Sequence, residues 1–148
     1  ETHNFSKILQ NAIELVQAKA MATSTKFEVS NKFNGNVLCD ENKLLNIMIN
    51  LFYNALDSIE SAKTQGVIKI NTEETADNML KIYITDNGCG IEQNACEKIF
   101  EEGYTSKTTG SGLGLHISKE AMKEQYGDLN LVNSEKGSTT FVISLPKL

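Results

Sequence analysis

The stretch "NIMINLFYNALDS", Asn46–Ser58, combines apolar residues at helical spacing with repeated amide side chains. Asn50 and Asn54 are four residues apart and therefore share one face of the predicted helix, and Asn46 extends the row by one turn. Amides on so apolar a helix are costly to bury without partners. One interpretation is a solvated or capping stripe. The other is a ligand site, since an amide oxygen can ligate Mg²⁺.

The apolar face of this helix needs a sheet to pack on, and the rest of the chain predicts one. The helix is expected over about residues 41–63, with Asp40 as its N-cap. The fold predicted is α+β, a two-layer sandwich with a mixed, mostly antiparallel sheet and helices on one face. A helix is also predicted over 5–20, and it faces the core with Ile8, Leu9, Ala12, Ile13, Leu15 and Val16. Strands are predicted over 25–30 and 36–39 around an Asn34-Gly35 hairpin turn, and then in "GVIKINTEE" and "NMLKIYITD". A short helical piece over 92–98 and a helix ending near Tyr126 follow, and the last strands are "LNLVNS" and "TTFVISLP".

The composition narrows the classes of function. A chain of 148 residues suits one domain with its own core. The net charge of −5 argues against non-specific binding to nucleic acid or to an anionic membrane. All 14 basic residues are lysines, so the chain has no guanidinium group for a phosphate. Cys39, Cys89 and Cys96 form no CxxC pattern, which favours reduced thiols. No apolar run is long enough to span a membrane, and the start at Glu1 suggests a piece of a longer protein.

A second stretch, "YITDNGCGI", places Asp86 at the end of a strand, before a turn that contains Gly88 and Gly90. A carboxylate at this position can accept a hydrogen bond from an exocyclic amine such as that of adenine. The alternative interpretation is a tight turn with a side chain-to-backbone hydrogen bond, for which "DNG" is a common sequence.

The third stretch, "IFEEGYTSK", belongs to a segment of about twenty residues between Glu92 and Ser111. Compact domains rarely carry so long a loop without a function, so a mobile lid is expected. Phe100 would anchor this lid to the core. Thr105 and Lys107 offer a hydroxyl and a cation to a ligand, although simple solvation of the lysine is the alternative.

The fourth stretch, "TTGSGLGLHIS", places Gly110, Gly112 and Gly114 immediately before a helix. Glycine allows close approach of the backbone, and a helix N-terminus presents unpaired N–H groups and a positive dipole end. Together they favour a bound anion, most often a phosphate. A plain turn is the alternative.

In this order and spacing the four stretches resemble the N-box, G1 box, F-box and G2 box of one family. It is the ATP-binding domain shared by sensor histidine kinases, gyrase, Hsp90 and MutL, the Bergerat or GHKL fold. The similarity is nearest to the catalytic domain of two-component sensor histidine kinases. It covers nearly the whole chain, and "GSTTFVISLP" matches the closing strand of the family. Residues 1–148 are therefore expected to form a single domain of this type.

The resemblance implies a role for each matched residue. Asn54 would ligate Mg²⁺ with help from Asn50, Asp86 would hold the adenine amino group, and Lys107 would reach the phosphates of ATP. Thr139 would lie near the adenine, through water. The implied catalytic residues are Asn50, Asn54 and Lys107, and the implied nucleotide-binding residues are Asn54, Asp86, Gly88, Gly90, Ile91, Thr105, Lys107, Gly110, Gly112, Leu113, Gly114, Leu115 and Thr139.

The reaction implied is transfer of the γ-phosphate to a histidine. In the ATPases and serine kinases of the family, a glutamate base precedes the magnesium-binding asparagine by four residues; here it is Asn50, which cannot take a proton. A neutral imidazole needs no such base. His3 lacks the acidic neighbour of the phosphoacceptor motif, and His116 lies within the helix of the G2 box, where it is expected to pack or to contact the lid. The acceptor is therefore expected on a separate helical domain.

The partners implied are the histidine phosphoacceptor domain of the same protein or of its dimer partner, and a response regulator. The domain would be cytoplasmic and monomeric when isolated, within a longer protein that can be membrane-anchored. Two alternatives stay open: a GHKL ATPase or serine kinase, which Asn50 disfavours, and a non-catalytic nucleotide-sensing or docking module. Asp57 stands where many histidine kinases have Lys or Arg, Ser138 stands where glycine is usual, and the F-box lacks its usual proline.

Overall fold

A computed structural model describes residues 1–104 and 114–148, and all structural statements below concern these residues. The elements are β1 Thr2–Asn4, α1 Phe5–Ala22, β2 Thr25–Ser30, β3 Asn36–Leu38, α2 Glu41–Ala62, β4 Gly66–Glu74, β5 Met79–Asp86, α3 Gly114–Glu124, β6 Asp128–Glu135 and β7 Ser138–Pro146. Five strands form one sheet in the order β2, β4, β5, β7 and β6, and its pairs are antiparallel except for β2 with β4, which is parallel. This mixed sheet with helices packed on it confirms the predicted fold class.

The core lies between the helices and one face of this sheet. Alternate residues of β5, Leu80, Ile82 and Ile84, are buried, because successive side chains of a strand point to opposite faces. Helix α2 supplies the facing layer, and burying each large apolar side chain contributes about 2 kcal/mol. None of the described helices is long and apolar enough to cross a membrane. The buried residues of α2 are Leu44, Ile47, Met48, Leu51, Phe52, Ala55, Leu56 and Ile59.

The limits of α2 follow from local chemistry. The Asp40 carboxylate accepts a hydrogen bond from the N–H of Lys43 at 3.1 Å, which satisfies one of the unpaired donors of the first turn and confirms the predicted N-cap. At the other end Lys63 adopts a left-handed conformation, φ 55°, and its N–H donates to Glu60. The helix thus begins and ends within one residue of the predicted limits.

The predicted hairpin between β2 and β3 is wrong. Strand β2 pairs with β4, whereas β3 pairs with the short strand β1, which the sequence analysis missed. The chain around Asn34 and Gly35 is instead attached to the start of α1, through the buried Phe33 ring (6% exposed), which lies against Phe5, and through the hydrogen bond from the Phe5 N–H to the Gly35 carbonyl. These contacts accompany the pairing of β3 with β1.

Two smaller expectations are also wrong. Residues 92–98 form successive turns instead of a helical piece, with i to i+3 bonds such as Ala95 N–H to the Glu92 carbonyl at 2.9 Å. A helix this short gains too little to offset its nucleation. Leu15 is 59% exposed, because it lies at the edge of the apolar stripe that buries its neighbours on α1.

Candidate functional site

Asn50, in the amide row of α2, contacts the start of α3. The Asn50 Nδ2 donates to the Ser118 hydroxyl at 3.3 Å, so the two helices are linked through this side chain. A Cβ built at Gly114 would lie 2.8 Å from Asn50 Oδ1, so a larger residue there would force the Asn50 side chain to shift. Gly114 therefore leaves room for the Asn50 amide beside the start of α3.

The turn after β5 packs on the same helix, two turns further on, at Ser58. The N–H of Cys89 lies 3.0 Å from the Ser58 hydroxyl oxygen and 3.2 Å from the Ser58 carbonyl oxygen. A Cβ at Gly88 would lie 2.7 Å from the backbone carbonyl carbon of Ser58. Only glycine fits at this contact without a shift of the helix backbone.

Asn54 lies between these two contacts. Asn50, Asn54 and Ser58 are spaced by four residues, so they follow one face of α2 at about 6 Å per step. Asn50 contacts the start of α3, and Ser58 contacts the turn that follows Asp86. The structure thus brings the sequence-predicted Asn54 and Asp86 to the same side of the molecule.

Asp86 is a buried carboxylate at the end of β5, 6% exposed. Burial raises the pKa of its carboxyl from 3.8 to about 6, although the hydrogen bond from Gly88 N–H to Oδ1, at 2.9 Å, acts in the opposite direction. Within the described residues this is the one hydrogen bond to the carboxylate. Its second oxygen can therefore accept a hydrogen bond from a donor group of a ligand.

A chain of hydroxyl contacts runs beside Asp86. Thr139 is its partner across the β5–β7 pair and is buried, 3% exposed. The Thr139 hydroxyl lies 2.9 Å from that of Ser134, and the Ser134 oxygen accepts the N–H of Ile91 at 2.7 Å. Sequence reasoning missed Ser134, because a serine in an edge strand with alternating polar residues carries no distinctive signal.

Gly90 completes the turn and contacts the β6–β7 hairpin. Its φ of +81° is in the left-handed region, and a Cβ would lie 2.6 Å from the Glu135 carbonyl oxygen. The hairpin also donates the Gly137 N–H to the Gly88 carbonyl at 3.0 Å. The space that side chains would need at positions 88 and 90 is therefore filled by protein atoms.

Two of the remaining predicted residues lie at the margin of the core, and five lie outside the described residues. Ile91 and Leu115 are half-buried at the margin of the core. Asp57 forms an ion pair with Lys19 of α1. The predicted ligand residues Thr105, Lys107, Gly110, Gly112 and Leu113 lie outside the described residues.

The donor groups fit a magnesium-bound nucleotide. The amide oxygens of Asn50 and Asn54 are hard ligands of the kind that Mg²⁺ accepts, with water and phosphate oxygens completing its shell. Asp86 offers a buried acceptor for an amino group at the other end of the same side.

Residues 39–148 match the sequence model of the family described as Histidine kinase-, DNA gyrase B-, and HSP90-like ATPase. The chain belongs to this family. It is 29% identical over 145 residues to the signal transduction histidine-protein kinase AtoS of Escherichia coli K12, covering 97% of this chain and 23% of AtoS. It is 39% identical over 105 residues to the C4-dicarboxylate transport sensor protein DctB of Rhizobium meliloti, covering 71% of this chain and 16% of DctB. The chain thus spans less than a quarter of the length of either relative.

The fold is similar to the catalytic domain of histidine kinase ThkA in a nucleotide-free form. The TM-score is 0.85 at 26% identity, covering 99% of this chain and 95% of the ThkA domain. These matches confirm the predicted family, the fold, and the type of domain, which is an ATP-binding catalytic domain of the histidine kinase class.

Proposed function

We propose that this chain binds Mg·ATP and transfers the γ-phosphoryl group to a histidine on a separate phosphoacceptor domain. The observation that carries the proposal is the position of Asn54 on α2. It lies between Asn50, which contacts Gly114 of α3, and Ser58, which contacts the turn after Asp86. A nucleotide bound along this side would have the buried Asp86 carboxylate at its adenine end. Its phosphates would lie near the amide oxygens of Asn50 and Asn54 and the N-terminus of α3.

At the adenine end, the ionised Asp86 carboxylate accepts a hydrogen bond from the exocyclic amino group of the base. Thr139, whose hydroxyl is held by Ser134, contacts the base through water. Ile91 and Leu115 supply half-buried apolar contacts for the purine. Gly88 and Gly90 allow the turn to lie against Ser58 and Glu135, which fixes the position of Asp86.

At the phosphate end, Asn54 holds Mg²⁺ with Asn50 beside it. The metal, when bound, neutralises phosphate charge and stabilises the transition state of transfer. Gly114 lets the start of α3 approach, so that N–H groups at its N-terminus face the phosphates. The further proposed contacts are Thr105, Lys107, Gly110, Gly112 and Leu113.

The contacts of Asn50 support histidine as the acceptor. Its amide nitrogen donates to Ser118, and an amide has no basic site for a proton from water or serine. Phosphoryl transfer to a neutral imidazole relies mainly on positioning and charge neutralisation. An ATPase or serine kinase is therefore not favoured.

The proposed partners are the phosphoacceptor domain and, after transfer, a response regulator. The histidine kinase ThkA, whose catalytic domain this chain resembles, has been solved in complex with the response regulator protein TrrA. For the present chain we propose a response regulator as the downstream partner, and a cytoplasmic location for the domain.

Calorimetry with Mg·ATP tests the binding site. Asn54→Ala and Asp86→Ala are expected to abolish binding while the circular dichroism spectrum is kept. Asn46→Ala is the matched control, since this exposed asparagine precedes Asn50 by one turn of α2. Unchanged affinity in both site variants would refute the assignment.

The reaction is tested with γ-labelled ATP and a protein in which this chain follows its phosphoacceptor domain. Label that is stable to alkali and lost in acid identifies phosphohistidine. Acid-stable label, or phosphate release without labelled protein, would contradict the proposal.

A further inference from the structure

Residues 91–104, here called the 91–104 segment, follow the Asp86–Gly90 turn and contain no regular element. At its start, the N–H of Ile91 donates to the Ser134 hydroxyl, and the Gln93 side chain donates to the Ser134 carbonyl at 3.3 Å. Further along, Ile99 is buried in the core, 3% exposed. The segment is thus attached to the sheet mainly by side chains.

Phe100 is one of two half-buried aromatic residues of this segment, the other being Tyr104. Its ring packs edge-on against Phe141 of β7, with centroids 6.3 Å apart and an interplanar angle of 89°. On another side lies a groove of about 710 Å³, whose lining includes Phe100, Lys119 and Ser134. Because the Phe100 ring borders this groove on one side, its position depends on a small number of contacts on its other sides.

Two residues of α3 contact Phe100 from the same face of the helix. His116 Nδ1 lies 3.1 Å from the Phe100 carbonyl oxygen, so the ring nitrogen donates to this carbonyl. His116 Nε2 also lies 3.5 Å from the Glu102 carboxylate. Three residues on, the Lys119 ammonium lies 4.6 Å from the centre of the Phe100 ring.

The Lys119 ammonium is held in place from the other side. It donates to the Leu129 carbonyl at 2.7 Å and to the Asn130 side chain at 2.9 Å, and it lies 3.3 Å from the Asp128 carboxylate. With its side chain only 20% exposed, the cation is poorly screened by water, which strengthens its attraction to the ring.

We propose that His116 and Lys119 form a clasp on Phe100 that positions the 91–104 segment for nucleotide binding. The proposal rests on the proposed function, because Ile91, at the start of this segment, is one of the residues assigned to the purine. Phe141 lies two residues after Thr139 on the same strand. Fixing Phe100 on Phe141 therefore fixes the segment beside the Asp86–Thr139 pair.

The first test compares Lys119→Met with Lys119→Arg. Methionine keeps the apolar stem but removes the cation, and we expect the Kd for Mg·ATP to rise about fivefold, which corresponds to about 1 kcal/mol and lies within the range of cation–π contacts. Arginine keeps a cation over the ring and should restore affinity to within about twofold of the wild type.

Asp128→Asn is the matched control for β6. It removes the ion pair between Lys119 and Asp128 but keeps the hydrogen bonds from Lys119 to the Leu129 carbonyl and the Asn130 side chain, which still hold the ammonium at the Phe100 ring. We expect its Kd to stay within about twofold of the wild type. If Asp128→Asn weakens binding as much as Lys119→Met does, Lys119 acts on ATP binding through its contacts with β6 and not through Phe100. That result would refute the clasp.

A double-mutant cycle with Phe100→Leu tests whether the lysine acts through the ring. Lys119→Met should lose most of its effect when Phe100 is already replaced, because the lysine contacts the ring, whereas His116→Ala should keep its effect, because the histidine contacts the backbone carbonyl that Phe100→Leu retains. Full additivity of Lys119→Met and Phe100→Leu would overturn the proposal. His116→Gln, which can still donate to the Phe100 carbonyl, should bind better than His116→Ala.

Amide hydrogen exchange without nucleotide separates the clasp from the proposed function. In Lys119→Met and in His116→Ala, amides of residues 92–104 should exchange at least about threefold faster, while those of β4 and β5 keep their protection. If the wild-type chain binds no ATP, the proposed function fails, but this exchange difference still tests the clasp. Unchanged exchange in both variants would refute it.

Discussion

The Asp86–Gly90 turn and the 91–104 segment lie side by side, yet they are held by different kinds of contact. The turn is attached through backbone groups: Cys89 N–H contacts Ser58, and the Gly88 carbonyl accepts the Gly137 N–H. The 91–104 segment is attached largely through side chains, among them Phe100 and the clasp residues of α3.

The difference separates a rigid part of the site from an adjustable part. Backbone contacts to a helix and a hairpin cannot be released one at a time without moving those elements. A contact made by one side chain can be lost alone, at a cost of about 1 kcal/mol. Asp86 is therefore fixed by the fold, whereas the segment beside it depends on a few replaceable residues.

The largest effect is expected for substitutions that break the rigid part. Gly88→Ala would place a Cβ 2.7 Å from the backbone carbonyl carbon of Ser58, so either the turn or α2 must shift. We expect the free energy of unfolding to fall by about 3 kcal/mol, as for overpacked core sites. Urea unfolding measures this loss, and a loss below about 1 kcal/mol would show that the turn is adjustable.

Gly90→Ala and Gly137→Ala form a matched pair for the same part. Both glycines have positive φ, +81° and +90°, but only Gly90 has a close neighbour, the Glu135 carbonyl oxygen at 2.6 Å. Gly137→Ala should cost only the backbone strain, about 1 kcal/mol. Gly90→Ala should cost about 1 to 2 kcal/mol more, and equal losses would contradict a role for the contact.

The next largest effect is expected for Asp86→Asn, and this effect depends on pH. The folded-state pKa of about 6 lies above the ordinary value of 3.8, so the ionised carboxylate destabilises the fold above pH 6 and this cost fades as the pH falls toward 4. An amide at this position carries no charge and removes that cost, so we expect a gain of about 2 kcal/mol at pH 7.5 and little at pH 4.

The same variant should lose ATP binding, because an amide is a weaker acceptor than a carboxylate. In the wild type, affinity should decline as the pH falls below about 6, where Asp86 takes up a proton. Chemical unfolding and calorimetry across pH 4 to 8 measure both effects. A variant that is less stable at pH 7.5 would contradict the burial penalty.

Ser134→Ala tests the junction of the two parts. It removes the acceptor of the Ile91 N–H and the partner of the Thr139 hydroxyl, so we expect a loss of about 1 to 2 kcal/mol and weaker ATP binding. Thr140→Val is the control, since it breaks a hydroxyl pair with Thr85 (2.8 Å) on the other face of the sheet. Equal effects of Ser134→Ala and Thr140→Val on ATP affinity would show that the Ser134 hydroxyl has no specific role beside Asp86.

The smallest effect is expected for Lys19→Met, at a contact of α2 that faces α1. Lys19 forms an ion pair with Asp57 and lies 5.2 Å from the centre of the Tyr53 ring. We expect a loss of at most about 1 kcal/mol that shrinks in high salt, without change in ATP affinity. A loss of nucleotide affinity would show that Asp57 acts on the site.

The sequence predicted the long helices and the long strands. Asn50, Asn54 and Asp86 could be proposed as site residues because the spacing along a helix and the end of an alternating strand are local features. The partners of β2 and β3 could not be predicted, since β2 pairs with the distant strand β4, and the chain before β3 is attached to the start of α1 through the bond between Phe5 and Gly35.

By itself the sequence determined which residues form α2 and β5, because periodicity, caps and turns act within a few residues of one another. It also determined the order of the four motifs, and with it the family. Only the tertiary structure decided that Ser134 supports Ile91 and Thr139, and that His116 and Lys119 hold Phe100. Such contacts join elements that are distant in the chain, and they exist only after the sheet and helices have packed.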